Sequence, residues 1–174
     1  MKNIDKDVLI LVTGAAGLIG SAVIWRLNQL GYENIVAVDN LGESEKWRNL
    51  RALTFKDYFD KDNFRELLEG DCFTDPFKVI FHLGACSDTT EVDASYLVDN
   101  NFEYSKLLAD YSLLHGSRMI YASSSATYGD GEQGFADNDD EISKLRPLNK
   151  YGYSKQLFDL FLFNNGMFSL DKSD

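Results

Sequence analysis

The chain has 174 residues, 44% of them hydrophobic, and a formal net charge of −11. This length suffices for one ordinary domain with a buried core, and the acidic balance argues against a nucleic-acid-binding surface, which needs clustered lysine and arginine. No apolar run reaches the roughly 20 residues that span a bilayer, and the first residues do not resemble a signal peptide. We therefore expect a cytoplasmic protein that binds neither membrane nor nucleic acid.

Strand and helix patterns alternate along the chain. Short apolar runs predict buried strands at 7–13, 34–40, 77–85 and 118–124, with a further strand at 51–59. Helices are predicted at 14–31, 61–70, 93–116 and 149–166. In the first of them, apolar residues recur at helical spacing at Leu18, Ala22, Trp25 and Leu30. This order predicts an α/β fold with a doubly wound parallel sheet (Rossmann fold) over residues 1–174, and a ligand beyond the carboxyl ends of the strands.

The first strand leads into "TGAAGLIG" (13–20), which has G-x-x-G-x-x-G spacing. Glycines at Gly14, Gly17 and Gly20 allow a tight turn, and the following helix presents its N-terminus to a pyrophosphate. Asp39, at the end of the second strand, can accept hydrogen bonds from an adenosine ribose. Together these features predict a dinucleotide site; the alternative is a structural turn beside a surface aspartate.

The nicotinamide cofactor is NAD or NADP. Asp39 alone favours NAD, because a carboxylate repels the 2′-phosphate of NADP. Lys46 and Lys61 follow and could neutralise that phosphate, unless they are ordinary solvated surface charges. The two cysteines form no C-x-x-C pair, and no spacing indicates a metal site.

The stretch "NKYGYSK" (149–155) opens the last predicted helix. Tyr151 and Lys155 are four residues apart and share a helix face, whereas Tyr153 points elsewhere. A neighbouring ammonium would stabilise a tyrosine phenolate as a base. The end of the fifth strand offers Ser123, Ser124 and Ser125 to orient a substrate alcohol. His82 is interpreted as a core histidine and Cys86 as a small buried thiol.

Three motifs, "TGAAGLIG", "SSSATYG" and "YGYSK", resemble the extended short-chain dehydrogenase/reductases, the NAD-dependent epimerase/dehydratase family that acts on nucleotide sugars. Further stretches, "FHLGACSDTTEVD" above all, resemble the members of that family that invert C6 of an ADP-heptose for lipopolysaccharide synthesis. The resemblance implies an isomerase that oxidises and re-reduces one carbon of a nucleotide sugar (ADP-heptose) with NADP. It further implies that the Rossmann fold is truncated here, with the substrate lobe and a second base missing.

Site residues follow from the same resemblance, position by position. Catalytic roles fall to Tyr151, Lys155 and Ser124. Cofactor contacts, besides Tyr151 and Lys155, are implied for Gly14, Ala16, Gly17, Leu18, Ile19, Gly20, Asp39, Asn40, Lys46, Lys61, Leu83, Gly84, Ala85, Cys86, Ser87 and Asn100. Leu83 departs from the pattern, since the heptose enzymes carry an acid there. Sugar 4,6-dehydratases carry an Asp-Glu pair where this chain has Ser125 and Ala126, which argues against dehydration.

Two other interpretations remain open. The chain could be a dinucleotide-binding remnant or regulatory module without turnover, or another nucleotide-sugar epimerase, such as one that inverts C4 of a hexose. The last helix is apolar nearly all round at 157–163. We therefore expect it to be buried on more than one side and to mediate homo-oligomerisation.

Overall fold

The computed structural model describes residues 5–169 and contains a five-stranded sheet. The strands are β1 (Ile10–Thr13), β2 (Ile35–Asp39), β3 (Asp57–Asp60), β4 (Val79–His82) and β5 (Arg118–Tyr121), in the order β3-β2-β1-β4-β5. All four neighbouring pairs are parallel. The predicted α/β fold is confirmed. The strand order changes direction between β1 and β4, which is where such sheets bind their ligands.

The central strands β1 and β2 are fully buried, and the edge strands are not. Every residue of β1 and β2 is buried, as their continuous apolar runs predict. Along β5 exposed and half-buried residues alternate, and Ile120 is 41% exposed. Within the described residues β5 has a neighbour only on the β4 side, so it forms an edge of the sheet.

The first helix, α1 (Leu18–Gln29), forms as predicted but buries a different face. Gly20 and Ile24 are buried, whereas Leu18 and Trp25, which the predicted apolar spacing included, are 86% and 55% exposed. The reason is a close approach at Gly20, which leaves no room for a side chain and turns the Gly20–Ile24 face towards β1. The backbone contact, rather than the largest apolar residues, sets the rotation of this helix.

The second helix, α2 (Lys61–Glu69), begins and ends where the sequence predicts. The Asp60 carboxylate accepts a hydrogen bond from the backbone N–H of Asp62, and Gly70 is the C-cap. Its buried Phe64 contacts the aromatic rings of Phe59, Phe73 and Phe77, at centroid distances of 5.3 to 6.0 Å. Phe77 in turn contacts Tyr111 at 5.8 Å, and this is the one ring of the cluster that comes from a distant part of the sequence.

The long helix predicted at 93–116 contains a wider turn. It consists of α3 (Ala94–Leu97), a π-helical turn (Val98–Glu103) and α4 (Tyr104–His115), with Asp93 capping the start. Asn100 and Asn101 lie in the π-helical turn and are both buried. Such a turn accommodates one extra residue and often occurs at functional sites.

The described chain forms two compact units. The sheet unit contains all five strands and comprises the residues up to Ala85 together with Leu107–Ala122. The helical unit comprises Cys86–Lys106 and the residues from Ser123 onwards. Its main element is α5 (Lys150–Asn164), capped by the Asn149 side chain. Within residues 5–169 no helix is long and apolar enough to cross a membrane.

The burial of α5 differs from the expectation. Its fully buried residues are largely polar or small: Gly152, Ser154, Lys155, Gln156, Phe158 and Asp159. The apolar residues at 157 and 160–163 are only half-buried. The helix therefore directs its functional groups inwards within this unit, and much of its apolar surface stays partly accessible.

Candidate functional site

The glycine motif forms the turn between β1 and α1. Gly14 has a φ of +66°, and a Cβ there would lie 2.7 Å from the backbone nitrogen of Gly84. A Cβ on Gly20 would lie 2.1 Å from the carbonyl oxygen of Gly14. Any side chain at either position would collide with backbone. The glycines therefore allow β1, α1 and the segment after β4 to pack within contact distance.

The first turn of α1 is open to an anion. Gly17 is its N-cap and makes no side-chain hydrogen bond, and no acidic residue stands in the first turn. Leu18 and Ile19 are 86% and 63% exposed and provide apolar surface beside the turn. Uncapped N–H groups and the positive end of the helix dipole attract phosphate. This donor set fits the pyrophosphate of a dinucleotide.

Asp39 is the last residue of β2, and both oxygens of its carboxylate have hydrogen-bond or ion-pair partners. Oδ2 accepts a hydrogen bond from the backbone N–H of Ala16 at 2.7 Å, and Oδ1 lies 2.7 Å from Nζ of Lys46. The backbone carbonyl of Asp39 accepts a bond from the Tyr58 hydroxyl at 2.8 Å. Burial, with the nearby charges of Asp39 and Asp60, raises the pKa of Tyr58 to about 12. The carboxylate is thus fixed against the glycine turn and neutralised by a lysine.

The predicted adenosine-end residues differ in their surroundings. Lys46 is 35% exposed and bound to Asp39. Asn40 directly follows Asp39 in the sequence and is exposed. Lys61 is the first residue of α2, is 24% exposed, and lies 3.6 Å from the Asp62 carboxylate. Lys46 therefore contacts Asp39, whereas Lys61 lies at the start of α2.

The end of β4 is tied to the end of β1. Nδ1 of the buried His82 lies 2.7 Å from the Thr13 hydroxyl oxygen, which also accepts a bond from the backbone N–H of Gly84 at 3.1 Å. The His82 ring stacks on Tyr121 at 5.8 Å. Leu83 packs on the core around β1. His82 is the core histidine that the sequence predicts, and Leu83 packs against the same core.

Asn101 organises the start of the helical unit. Its Nδ2 donates to the Cys86 carbonyl and to the Ser154 hydroxyl, both at 3.0 Å. Its Oδ1 accepts from the Cys86 N–H at 2.8 Å and from Nδ2 of Asn100 at 3.0 Å. This fully buried side-chain amide therefore uses both of its hydrogen-bond donors and both of its acceptor positions. The sequence analysis named Asn100 and missed Asn101, because no pattern marks which of two adjacent asparagines joins Cys86 to α5.

The start of α5 packs against the serine-rich segment. Asn149 accepts a bond from the backbone N–H of Gly152 at 2.7 Å, and a Cβ on Gly152 would lie 2.7 Å from the Ala126 carbonyl oxygen. Tyr153 is 52% exposed, whereas Lys155 is 3% exposed. This burial agrees with the prediction that Tyr153 points away from the lysine. The glycine between the two tyrosines permits the close approach.

Lys155 is an ammonium in a buried position. Burial lowers the pKa of Lys155 from 10.5 to about 8, and the carboxylate of Asp159 opposes that fall. Burial also raises the pKa of Asp159, against a hydrogen bond from Ser123 and the charge of Lys155. A lysine whose pKa lies near neutrality can exchange protons at physiological pH.

The three candidate serines have different partners. The Ser123 hydroxyl donates to Oδ2 of Asp159 at 2.6 Å. Ser124 caps the short 3-10 turn Ser125–Tyr128, and its hydroxyl accepts from the Ala126 N–H at 3.2 Å. Ser125 is exposed. Ser124, whose hydroxyl proton is not used by that cap, remains the candidate for orienting a substrate hydroxyl.

The predicted residues divide between the two units. The sheet unit holds the glycine loop, the end of β2, both lysines and the first half of the loop after β4, which includes the half-buried Ala85. The helical unit holds Cys86, the exposed Ser87, Asn100, and the catalytic candidates Ser124, Tyr151 and Lys155. Sequence reasoning missed Asp159, although its i+4 spacing from Lys155 was a usable signal.

Curated relatives carry a consistent description. The chain is 52% identical over 157 residues to the ADP-L-glycero-D-manno-heptose-6-epimerase of Nitratidesulfovibrio vulgaris, covering 90% of this chain and 48% of that protein. It is 48% identical over 157 residues to the protein of the same name from Fusobacterium nucleatum, covering 89% of this chain and 47% of the relative. The chain thus spans about half the length of the curated relatives it matches.

Solved structures and a family model agree with these relatives. The heptose epimerase of Helicobacter pylori superimposes with a TM-score of 0.73 at 25% identity, covering 95% of this chain and 54% of that one. The model of the NAD dependent epimerase/dehydratase family matches residues 10–165. With its parallel sheet, glycine turn and the order of its motifs, the chain belongs to the NAD dependent epimerase/dehydratase family.

Proposed function

We propose that this chain is the dinucleotide-binding and catalytic-helix part of an NADP-dependent epimerase that inverts C6 of an ADP-glycero-manno-heptose. The observation that carries the proposal is the buried Lys155 one helical turn from Tyr151, on a helix that packs against the Ser124 segment through Gly152. The names of the relatives at 52% and 48% identity support the choice of sugar.

The cofactor would be held by the sheet unit. The open first turn of α1 receives the pyrophosphate, and the end of β2 receives the adenosine ribose. Lys46 supports NADP over NAD, because its ammonium, 2.7 Å from Asp39, neutralises the carboxylate that would otherwise repel a 2′-phosphate. When bound, the nicotinamide supplies reversible hydride acceptance at the sugar carbon.

The helical unit supplies the proton chemistry. Tyr151, as a phenolate, takes the proton of the C6 hydroxyl while that carbon becomes a ketone, which is then reduced on its opposite face. The Lys155 ammonium stabilises the phenolate, and the Ser124 hydroxyl holds the reacting oxygen by a hydrogen bond. No net oxidation or reduction occurs, so one cofactor molecule serves repeated turnovers.

Cofactor choice is tested by calorimetric titration with NADP and with NAD. We expect tighter binding of NADP, and Lys46→Ala should weaken it by about tenfold or more while affecting NAD less. Lys56→Ala removes an exposed lysine of the same unit and should change neither affinity. Preference for NAD in the unmodified chain would contradict the NADP proposal.

Turnover is tested separately, by following C6 inversion of the ADP-heptose with the chain alone. A second candidate function is dinucleotide binding without turnover, which the open first turn of α1 would support by itself. Inversion that is lost in Tyr151→Phe would establish the epimerase. Tight NADP binding without inversion would establish the binding module instead.

A further inference from the structure

Asp159 is a buried acid on the catalytic helix with no role in the mechanism above. It is 8% exposed and lies one helical turn beyond Lys155. With Tyr151 one turn before, these three side chains follow i, i+4, i+8 spacing along one side of α5. A carboxylate kept away from water at such a position needs a partner for its charge.

The carboxylate is held from a second segment. Ser123, two residues after the end of β5, donates its hydroxyl proton to Oδ2 of Asp159 at 2.6 Å. That short bond restricts the rotamer of Asp159. The serine that the sequence offered as a substrate-binding candidate is therefore committed to an acid on the helix.

A lysine that is 3% exposed would lose its proton readily without a nearby negative charge. Lys155 and Asp159 are both buried and lie one helical turn apart on α5, and removing one of two buried opposite charges leaves the other uncompensated. We propose that Asp159, oriented by Ser123, is a positioning residue that keeps Lys155 in its ammonium form for the Tyr151 phenolate. The proposal rests on the proposed function for the roles of Tyr151 and Lys155.

The electrostatic surroundings of Lys155 agree with this assignment. Burial lowers the pKa of Lys155 to about 8, and Asp159 is the charge that raises it. Glu103 pairs with Lys106, and Glu141 with Lys144, on the segments that pack against α5. The other ionisable side chains on those segments are Tyr96, Asp99, Tyr128, Asp139 and Asp140.

The test measures the ionisation of Lys155 directly in the full 174-residue chain. Lysine side chains are labelled with ¹³C at Cε, the Lys155 signal is assigned with Lys155→Arg, and its midpoint is followed by NMR between pH 5 and 11. We expect a midpoint near 8 in the unmodified chain and a fall of roughly one to three pH units in Asp159→Asn. Asp159→Glu should restore most of the difference.

Two serine variants separate the proposed contact from a general effect on folding. Ser123→Ala should lower the midpoint in the same direction as Asp159→Asn, by a smaller amount. Ser125→Ala, an exposed serine of the same segment, should leave it unchanged. If Asp159→Asn does not fold, the proposal is tested by comparing the Lys155 midpoint in Ser123→Ala with that in Ser125→Ala.

The proposal is overturned if the midpoint of Lys155 is the same in folded Asp159→Asn as in the unmodified chain, or the same in Ser123→Ala as in Ser125→Ala. This outcome is independent of epimerase activity. A chain that inverts no heptose but shows the expected midpoints would contradict the proposed function alone. A chain that inverts heptose with an unmoved midpoint would contradict the role of Asp159 alone.

Discussion

Replacing Gly20 by alanine should destabilise the sheet unit, against the ordinary preference of helices. In an unconstrained helix interior the change from glycine to alanine stabilises by about 1 kcal/mol. Here the added Cβ would lie 2.1 Å from the Gly14 carbonyl oxygen and 2.9 Å from Cα of Ala15. An ordinary contact needs more than 3 Å, so α1 or the turn must move by about 1 Å.

The turn cannot easily give way, because Gly14 is itself in contact with backbone. Its own Cβ position lies 2.7 Å from the Gly84 nitrogen. Overpacking of this kind costs about 1 to 3 kcal/mol, and strain at a fixed backbone lies at the upper end. After the propensity gain of about 1 kcal/mol is subtracted, we expect a net loss of about 2 kcal/mol in the free energy of unfolding.

Urea unfolding followed by circular dichroism measures this loss. The matched control is Ala22→Gly, an exposed position two residues further along α1, which should cost about 1 kcal/mol through propensity alone. NADP titration should show weakened binding in Gly20→Ala and little change in Ala22→Gly. If Gly20→Ala equals or exceeds the stability of the unmodified chain, the packing argument for the glycine motif is wrong.

Three further outcomes follow from the helical unit. Between pH 8 and 10.5 the unfolded chain holds the Lys155 proton more tightly than the folded chain. Stability from this group therefore rises with pH across that window, by about 3 kcal/mol, and Lys155→Met should lack the rise in urea titrations at pH 8 and pH 10. Asn101→Asp loses the donors to the Cys86 carbonyl and the Ser154 hydroxyl, and should lower the unfolding free energy by about 2 kcal/mol or more; an unchanged urea midpoint would refute this. Sedimentation should show self-association at micromolar concentration that Leu162→Lys reduces, whereas a monomer in the unmodified chain would contradict the prediction.

Sequence reasoning succeeded where local chemistry dictates the structure. The buried strands, the turn after β1 and the bounds of α2 follow from apolar runs, glycine spacing and helical spacing. The choice between Tyr151 and Tyr153 required only the period of a helix, and the burial of Lys155 beside an exposed Tyr153 agrees with it. Residues four apart on a helix share a face in any fold.

The rest depends on contacts between distant residues. The ion pair between Lys46 and Asp39 and the hydrogen bond from Ser123 to Asp159 could not be predicted without knowing which segments are in contact. The buried face of α1 was wrong because a backbone contact at Gly20 outweighed the large apolar side chains. The burial of α5 was misjudged for a similar reason, since polar groups with partners occupy its interior side.

The π-helical turn at Val98–Glu103 takes up one extra residue without changing the phase of the helix beyond it. Each residue of a regular helix advances the direction of the side chains by 100°, so the same extra residue in a regular helix would rotate the start of α4 by that amount. Leu108 and Tyr111 are 0% and 5% exposed in the orientation that the wider turn preserves. A deletion of one residue within the turn would restore a regular helix and should leave both side chains in the core. The same deletion would disrupt the buried Asn100 and Asn101, which the wider turn holds side by side.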